Sequence, residues 1–129
     1  MGVGYLEKKV KDVMSYPVIS VLSTDPISEA VSKMIDHEIG AVLVNAGGKT
    51  EGIITERDLI KRIIYEGRDP SKTRCGEIMS KPLITVDPDA SIIKAITLMK
   101  EKGIRRIVVM KDNKAVGIVT EKELIRNLL

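Results

Sequence analysis

One stretch of this chain is written twice. Gly52-Ile53-Ile54-Thr55-Glu56-Arg57-Asp58-Leu59-Ile60 returns as Gly117-Ile118-Val119-Thr120-Glu121-Lys122-Glu123-Leu124-Ile125, an offset of 65 positions (52 to 117). The offset holds without a gap from Val13/Ile78 to Ile60/Ile125, and roughly a third of the paired residues are identical, more than chance allows over such a length. A chain of 129 residues that repeats itself in this way folds as two related units, each too small to bury a full core alone. Each repeated string is a glycine, a short β-branched run, a threonine and then an acid three residues on. This is the spelling of a strand that ends in a helix start. Thr-x-x-acid is a capping box, and the same junction can offer a hydroxyl, a carboxylate and helix N–H groups to a ligand. From the spelling alone both readings stand.

Apolar periodicity gives the elements. Leu6, Val10, Val13 and Met14 predict a short amphipathic helix, broken at Ser15-Tyr16-Pro17, and Val18 to Val21 reads as a strand. Thr24-Asp25-Pro26 is expected to cap a helix with the stripe Ile27, Ala30, Val31, Met34, Ile35. Ala41 to Val44 is a buried strand, Ala46-Gly47-Gly48-Lys49 a hairpin turn, and Gly52 to Ile54 the returning strand. Thr55 caps the next helix, whose inner face is Leu59, Ile60, Ile63 and Ile64, closed by Gly67. The pattern restarts after a polar stretch. Asp89 is expected to cap a helix with the stripe Ile92, Ile93, Ile96, Met99, ended by Gly103. Ile107 to Met110, the turn Lys111-Asp112-Asn113-Lys114 and Gly117 to Val119 form the second hairpin, and a helix runs from Glu121 almost to the end. The expected organisation is a lead-in at 1–9, a first repeat at 10–67, a linker at 68–76 and a second repeat at 77–129. The fold class is α/β (α+β): tandem β-α-β-β-α units related by a pseudo-two-fold axis, with two equivalent clefts.

Composition narrows the chemistry. One cysteine, Cys75, excludes an internal disulfide and a cysteine-based zinc cluster. His37 is the single histidine, on the polar side of a predicted helix, so nothing suggests a hydrolytic triad, and no metal site is expected. Net charge is only +3, with a pI near 9.0 that mildly favours anionic ligands. The absence of Trp and Phe removes the stacking platforms that single-strand nucleic-acid binding uses. Met14, Met34, Met79 and Met99 are expected in the core. No apolar run is long enough to span a bilayer and no signal-peptide pattern opens the chain, so a cytoplasmic location is expected.

Several motifs repeat in one order: Met14-Ser15-Tyr16-Pro17 and Met79-Ser80-Lys81-Pro82; Thr24-Asp25-Pro26-Ile27-Ser28-Glu29-Ala30 and Asp89-Ala90-Ser91-Ile92-Ile93-Lys94-Ala95; then the two Gly-to-acid strings. In these the chain resembles the cystathionine-β-synthase (CBS) domain family in its tandem form, the Bateman module, over about residues 10–129. The resemblance implies a stand-alone, non-catalytic regulatory module. It implies adenine nucleotides (AMP, ADP or ATP, or S-adenosylmethionine) in clefts between the repeats, a homodimer, and control of a partner enzyme or transporter. It assigns Asp58 to ribose and Thr55 to phosphate in the first cleft, with Ile53, Gly40 and Ala41 beside the base and Ala95 on the facing helix. In the second it assigns Thr120, Ile118 and Glu123, with Arg105 and Arg106 near phosphates and Ala30 and Asp25 facing them. Glu123 departs from the aspartate of the family pattern, and Gly40-Ala41 stands where the second repeat has the arginines. The resemblance thus implies a nucleoside grip at the first cleft and anion attraction from the arginines. The alternatives are a dimeric scaffold with vestigial clefts and a nucleic-acid-binding module.

Overall fold

The computed structural model describes residues 8–128, with the side chains of 8–127; the part of the expected lead-in helix at Leu6 lies outside them. Its contacts divide the chain into two compact units. One is the continuous stretch Ile19–Leu83, and the other joins the segment up to Val18 with that from Ile84 onward.

In the continuous unit, strands β1 (Ser20–Leu22), β2 (Ala41–Ala46) and β3 (Lys49–Thr55) form one sheet in that order. β1 is parallel to β2, and β2 and β3 form an antiparallel hairpin. The hairpin turn needs positive φ at two successive residues, which Gly47 (+58°) and Gly48 (+79°) supply without a side-chain clash. Helix α1 (Ile27–Asp36) crosses from β1 to β2, and α2 (Glu56–Leu59) follows β3, continuing as a π-helical turn over Ile60–Ile64. The short helix α3 (Cys75–Ile78) closes the unit. Val21, Val42, Val44 and Ile54 point to the helices and pack with Ile27, Ala30, Met34, Ile63, Cys75 and Ile78 into one core. Strand alternation puts Ala41, Leu43, Ile53 and Thr55 on the opposite sheet face.

The discontinuous unit repeats the design. β4 (Thr85–Val86), β5 (Arg106–Lys111) and β6 (Lys114–Thr120) form its sheet, covered by α4 (Ile92–Lys102) and α5 (Glu121–Leu128). Its core holds Val86, Ile92, Ala95, Met99, Ile107, Val109, Val119 and Leu124. Val10 and Val13 belong to that core as well, carried by a 3-10 turn at Val10–Asp12. The lead-in to the first repeat therefore packs with the second repeat's elements, while Ile78 and Met79, the lead-in to the second, pack with those of the first.

Several local expectations change. Asp25 does not cap α1: its Oδ2 accepts from the Leu22 N–H at 2.9 Å, closing a turn. The first N–H groups of α1 are met instead by backbone from the expected linker, Ile27 N–H by Thr73 O (2.9 Å) and Ser28 N–H by Pro70 O (3.1 Å). That stretch is accordingly tied down, with Thr73 and Cys75 buried. Asp89 likewise does not cap α4. Ser91 does, accepting from Lys94 N–H at 3.1 Å, while Asp89 pairs with Lys11 at 3.0 Å. Ile60 (59% exposed) and Ile64 (73%) face outward rather than inward, as does Ile35 (69%). The π turn and the width of the apolar stripe give these helices a second hydrophobic face that their own core does not use. Gly103 ends α4 in the left-handed conformation, as its sequence position predicts.

Candidate functional site

The two repeated strings are strand-to-helix junctions in the structure, β3 to α2 and β6 to α5. At the first, the Thr55 hydroxyl accepts from Asp58 N–H (3.3 Å), and Asp58 Oδ2 accepts from Thr55 N–H (2.9 Å), a complete capping box. The Thr55 hydroxyl also donates to Asp58 Oδ2 at 3.1 Å. The remaining oxygen, Oδ1, accepts from the Ser80 hydroxyl at 2.9 Å. Asp58 is thereby held almost out of water, 8% exposed, with both oxygens hydrogen-bonded, as a buried carboxylate requires.

The second junction reproduces this arrangement with a longer acid. Thr120 Oγ1 donates to Glu123 Oε1 (3.1 Å), Glu123 N–H donates to Thr120 Oγ1 (3.3 Å), and Ser15 Oγ donates to Glu123 Oε2 (2.9 Å). Ser15 and Ser80 hold equivalent places in the repeat. Each serine crosses the exposed edge of its sheet as an antiparallel bridge, Ser80 to Ile53 and Ser15 to Ile118. Sequence reasoning used these serines as family markers and missed their role. The available signal was their recurrence within Met-Ser-x-Pro at the same offset as the acids.

Close approach of the crossing segment requires the glycine of each string. A Cβ at Gly52 would stand 2.6 Å from Met79 Sδ and 3.0 Å from Ser80 O, and one at Gly117 would collide with Met14. The methionines lie over the bare glycine backbone and belong to the hydrophobic packing, as expected for Met14 and Met79.

Within each unit the other candidate residues can now be placed. Ala41 is the register partner of Thr55, and Leu43 that of Ile53, so Ala41, Ile53 and Thr55 share one end and one face of the first sheet. Gly40 adjoins them, its carbonyl accepting from Glu56 N–H at 3.1 Å. Arg106 is the partner of Thr120 and Val108 that of Ile118, and Arg105 O accepts from Glu121 N–H at 2.9 Å. Arg105 is exposed and Arg106 half-buried. Among the described residues neither arginine has an ion-pair partner, which leaves both side chains available to an anion. Asp25 sits in the turn before α1. Ala30 and Ala95 are fully buried in the cores of their respective units and present no open surface.

The cavities lie elsewhere. A groove of about 430 Å³ runs between Val31, Met34, Ile35, Ile39, Glu56 and Leu59, and one of about 350 Å³ between the equivalent Ile96, Met99, Lys100, Ile104, Glu121 and Leu124. Both are apolar and sit on the helical side of each unit. They lack the converging donors and acceptors of the junctions, so the polar chemistry belongs to the caps. Cys75 is buried with its thiol pKa pushed up to about 11 by loss of solvation, which makes it unreactive. No cluster of three His, Cys, Asp or Glu side chains stands within metal-binding reach among the described residues. None of the described helices is long and apolar enough to cross a membrane.

Relatives share this architecture. A protein of Methanopyrus kandleri is 40% identical over 119 residues, 91% of this chain, though the chain spans only 61% of that relative's length. CBS domain-containing protein YhcV of Bacillus subtilis is 37% identical over 118 residues, covering 92% of this chain and 84% of the relative. The crystal structure of Hypoxic Response Protein I, with two coordinated zinc ions, superimposes with a TM-score of 0.83 at 30% identity, over 92% of this chain and 98% of that one. The CBS domain model matches residues 10–65 and again 75–129. Each match contains one capped junction, so the repeated string that first divided the chain is the signature of a protein that belongs to the CBS domain family and carries the domain twice.

Proposed function

We propose that the chain is a non-catalytic regulatory module that binds adenine nucleotides of the AMP, ADP and ATP class at its strand-to-helix junctions and reports energy or metabolite state to a partner enzyme or transporter. CBS-domain-only proteins are generally regulatory, and often bind ligands. The observation that carries the finer reading is Asp58. It is a nearly buried carboxylate at the start of a helix, on the sheet face away from the core, beside Ile53 and Ala41. A ribose diol is a neutral pair of donors suited to such an acceptor, and aliphatic walls suit the base. Arg105 and Arg106, without ion-pair partners among the described residues, supply the positive charge that would distinguish a nucleotide from a nucleoside. Exposed Ile35, Ile60, Ile64 and Tyr65 form an apolar face that supports a homodimer.

Thermal shift of the whole chain tests the reading. A ligand at about 100 times its Kd adds roughly 2.7 kcal/mol of stability, and Asp58→Ala should abolish the shift at matched concentration. Unchanged melting with AMP, ADP, ATP and S-adenosylmethionine at millimolar concentration would sink it. A second reading, an interaction scaffold with vestigial sites, is favoured by one observation: the carboxylates of Asp58 and Glu123 are already hydrogen-bonded within the protein. Dimerisation without any ligand-induced shift would establish that reading instead.

A further inference from the structure

We propose that Ser80 and Thr55 make Asp58 a phosphate-gated reader of ribose: both ribose hydroxyls are accepted only when a phosphate draws the Thr55 hydroxyl away. This rests on the reading of Asp58 as the ribose acceptor. A carboxylate offers about four acceptor positions. Thr55 N–H and Thr55 Oγ1–H occupy Oδ2, and Ser80 Oγ–H occupies Oδ1. A single position on Oδ1 remains for a diol that carries two donors.

Of the groups already bound, the Thr55 hydroxyl is the one that can leave without disturbing the fold. Its oxygen caps the helix by accepting from Asp58 N–H, and that bond persists while the hydroxyl hydrogen rotates. The Thr55 N–H is fixed in the backbone. Ser80 is held by two backbone bonds to Ile53, at 2.8 and 3.1 Å. A phosphate oxygen beside the helix start is a stronger acceptor site for the Thr55 hydroxyl, because it carries charge and is not already shared. Rotation toward it vacates a position on Oδ2, and the diol then meets one open position on each oxygen. The bound proton changes acceptor; no covalent bond is made or broken. The same arrangement recurs around Glu123 with Thr120 and Ser15, so the occupancy of the acid is a property of the repeated design and not of one rotamer.

Calorimetry on the full chain with adenosine, AMP and their 2′-deoxy and 3′-deoxy forms tests the gate without any variant. Removing either hydroxyl should cost AMP about tenfold in affinity, the worth of one hydrogen bond to a charged group, and adenosine less than about twofold. Ser80→Ala opens a second position on Oδ1, so adenosine should gain about tenfold and the preference for AMP should shrink correspondingly. Equal losses for AMP and adenosine in the deoxy series, or an unchanged preference in Ser80→Ala, would overturn the gate while leaving Asp58 as the ribose acceptor. AMP binding that survives Asp58→Ala, or no binding of either ligand, would overturn both.

Discussion

Met79 lies directly over the Cα of Gly52, with its sulfur only 2.6 Å from where a Cβ would stand. The contact fixes the height at which the Met79-Ser80 segment crosses the edge of β3, and hence brings the Ser80 hydroxyl to Asp58.

Gly52→Ala should therefore destabilise by about 1–3 kcal/mol, the usual cost of overpacking. Met79→Ala in the same chain should recover part of the loss, because the sulfur clash is removed while the approach of Ser80 O at 3.0 Å remains. Urea unfolding of the single and double variants measures the coupling; full additivity would show that the two residues do not meet.

Arg62 gives the crossing segment of the continuous unit a tie that its equivalent lacks. Its guanidinium donates to Ile78 O (2.7 Å) and Met79 O (3.2 Å), whereas the matching Asn127 donates to Glu123 O on its own helix. Arg62→Met keeps much of the aliphatic stem and removes both bonds. A loss of about 1–3 kcal/mol is expected from the carbonyls left without that donor. Amide exchange of Ser80 N–H, which bonds Ile53 O, should accelerate in step, with that of Ser15 N–H unchanged.

Burial sets the behaviour of Cys75. Its folded pKa, about 11, lies above the ordinary 9.0 of a thiol, so the stability it contributes is fully present below pH 9.0 and is lost as pH rises toward 11. The melting temperature of the native chain should fall more steeply across that window than that of Cys75→Ala. Iodoacetamide at pH 8 should label the thiol only when the chain is unfolded.

Charge reversal on the outward helix face tests association. Ile64 is 73% exposed and Tyr65 88%, and neither is in its unit's core. Ile64→Lys should leave the melting temperature of the monomer within about 0.5 kcal/mol of stability and shift a homodimer toward monomer in sedimentation equilibrium. Unaltered association would place the dimer surface elsewhere.

What the sequence made legible follows from how local each signal is. The hairpins were readable because Gly47-Gly48 and Asp112-Asn113 announce positive φ within a four-residue window. Thr55 and Asp58 were readable because a capping box spans one helical turn. The start of α1 was not, since Thr24, Asp25 and Pro26 all carry capping chemistry and the deciding partners, Thr73 and Pro70, come from far along the chain. Asp89 failed as a cap for the same reason: Ser91 competes within the same turn, and Lys11 offers a partner that only the folded chain brings near. The serine locks escaped because a hydroxyl 22 residues from Asp58, or 108 from Glu123, has no local signature. Exposed Ile60 and Ile64 were misread because hydrophobic periodicity identifies an apolar face without saying what covers it.

The exchange of lead-in segments also sets the order in which the chain can complete itself. Everything the Ile19–Leu83 unit needs lies in one unbroken run, so it can close while the remainder is still being synthesised. Val10, Val13 and Ser15 must wait: their partners Leu124, Val119 and Ile118 leave the ribosome more than a hundred residues later, and joining them closes a long loop at an entropic cost that grows only with the logarithm of its length. The continuous half is thus placed to act as the early folding nucleus, and the N-terminal lead-in as the last strand to dock.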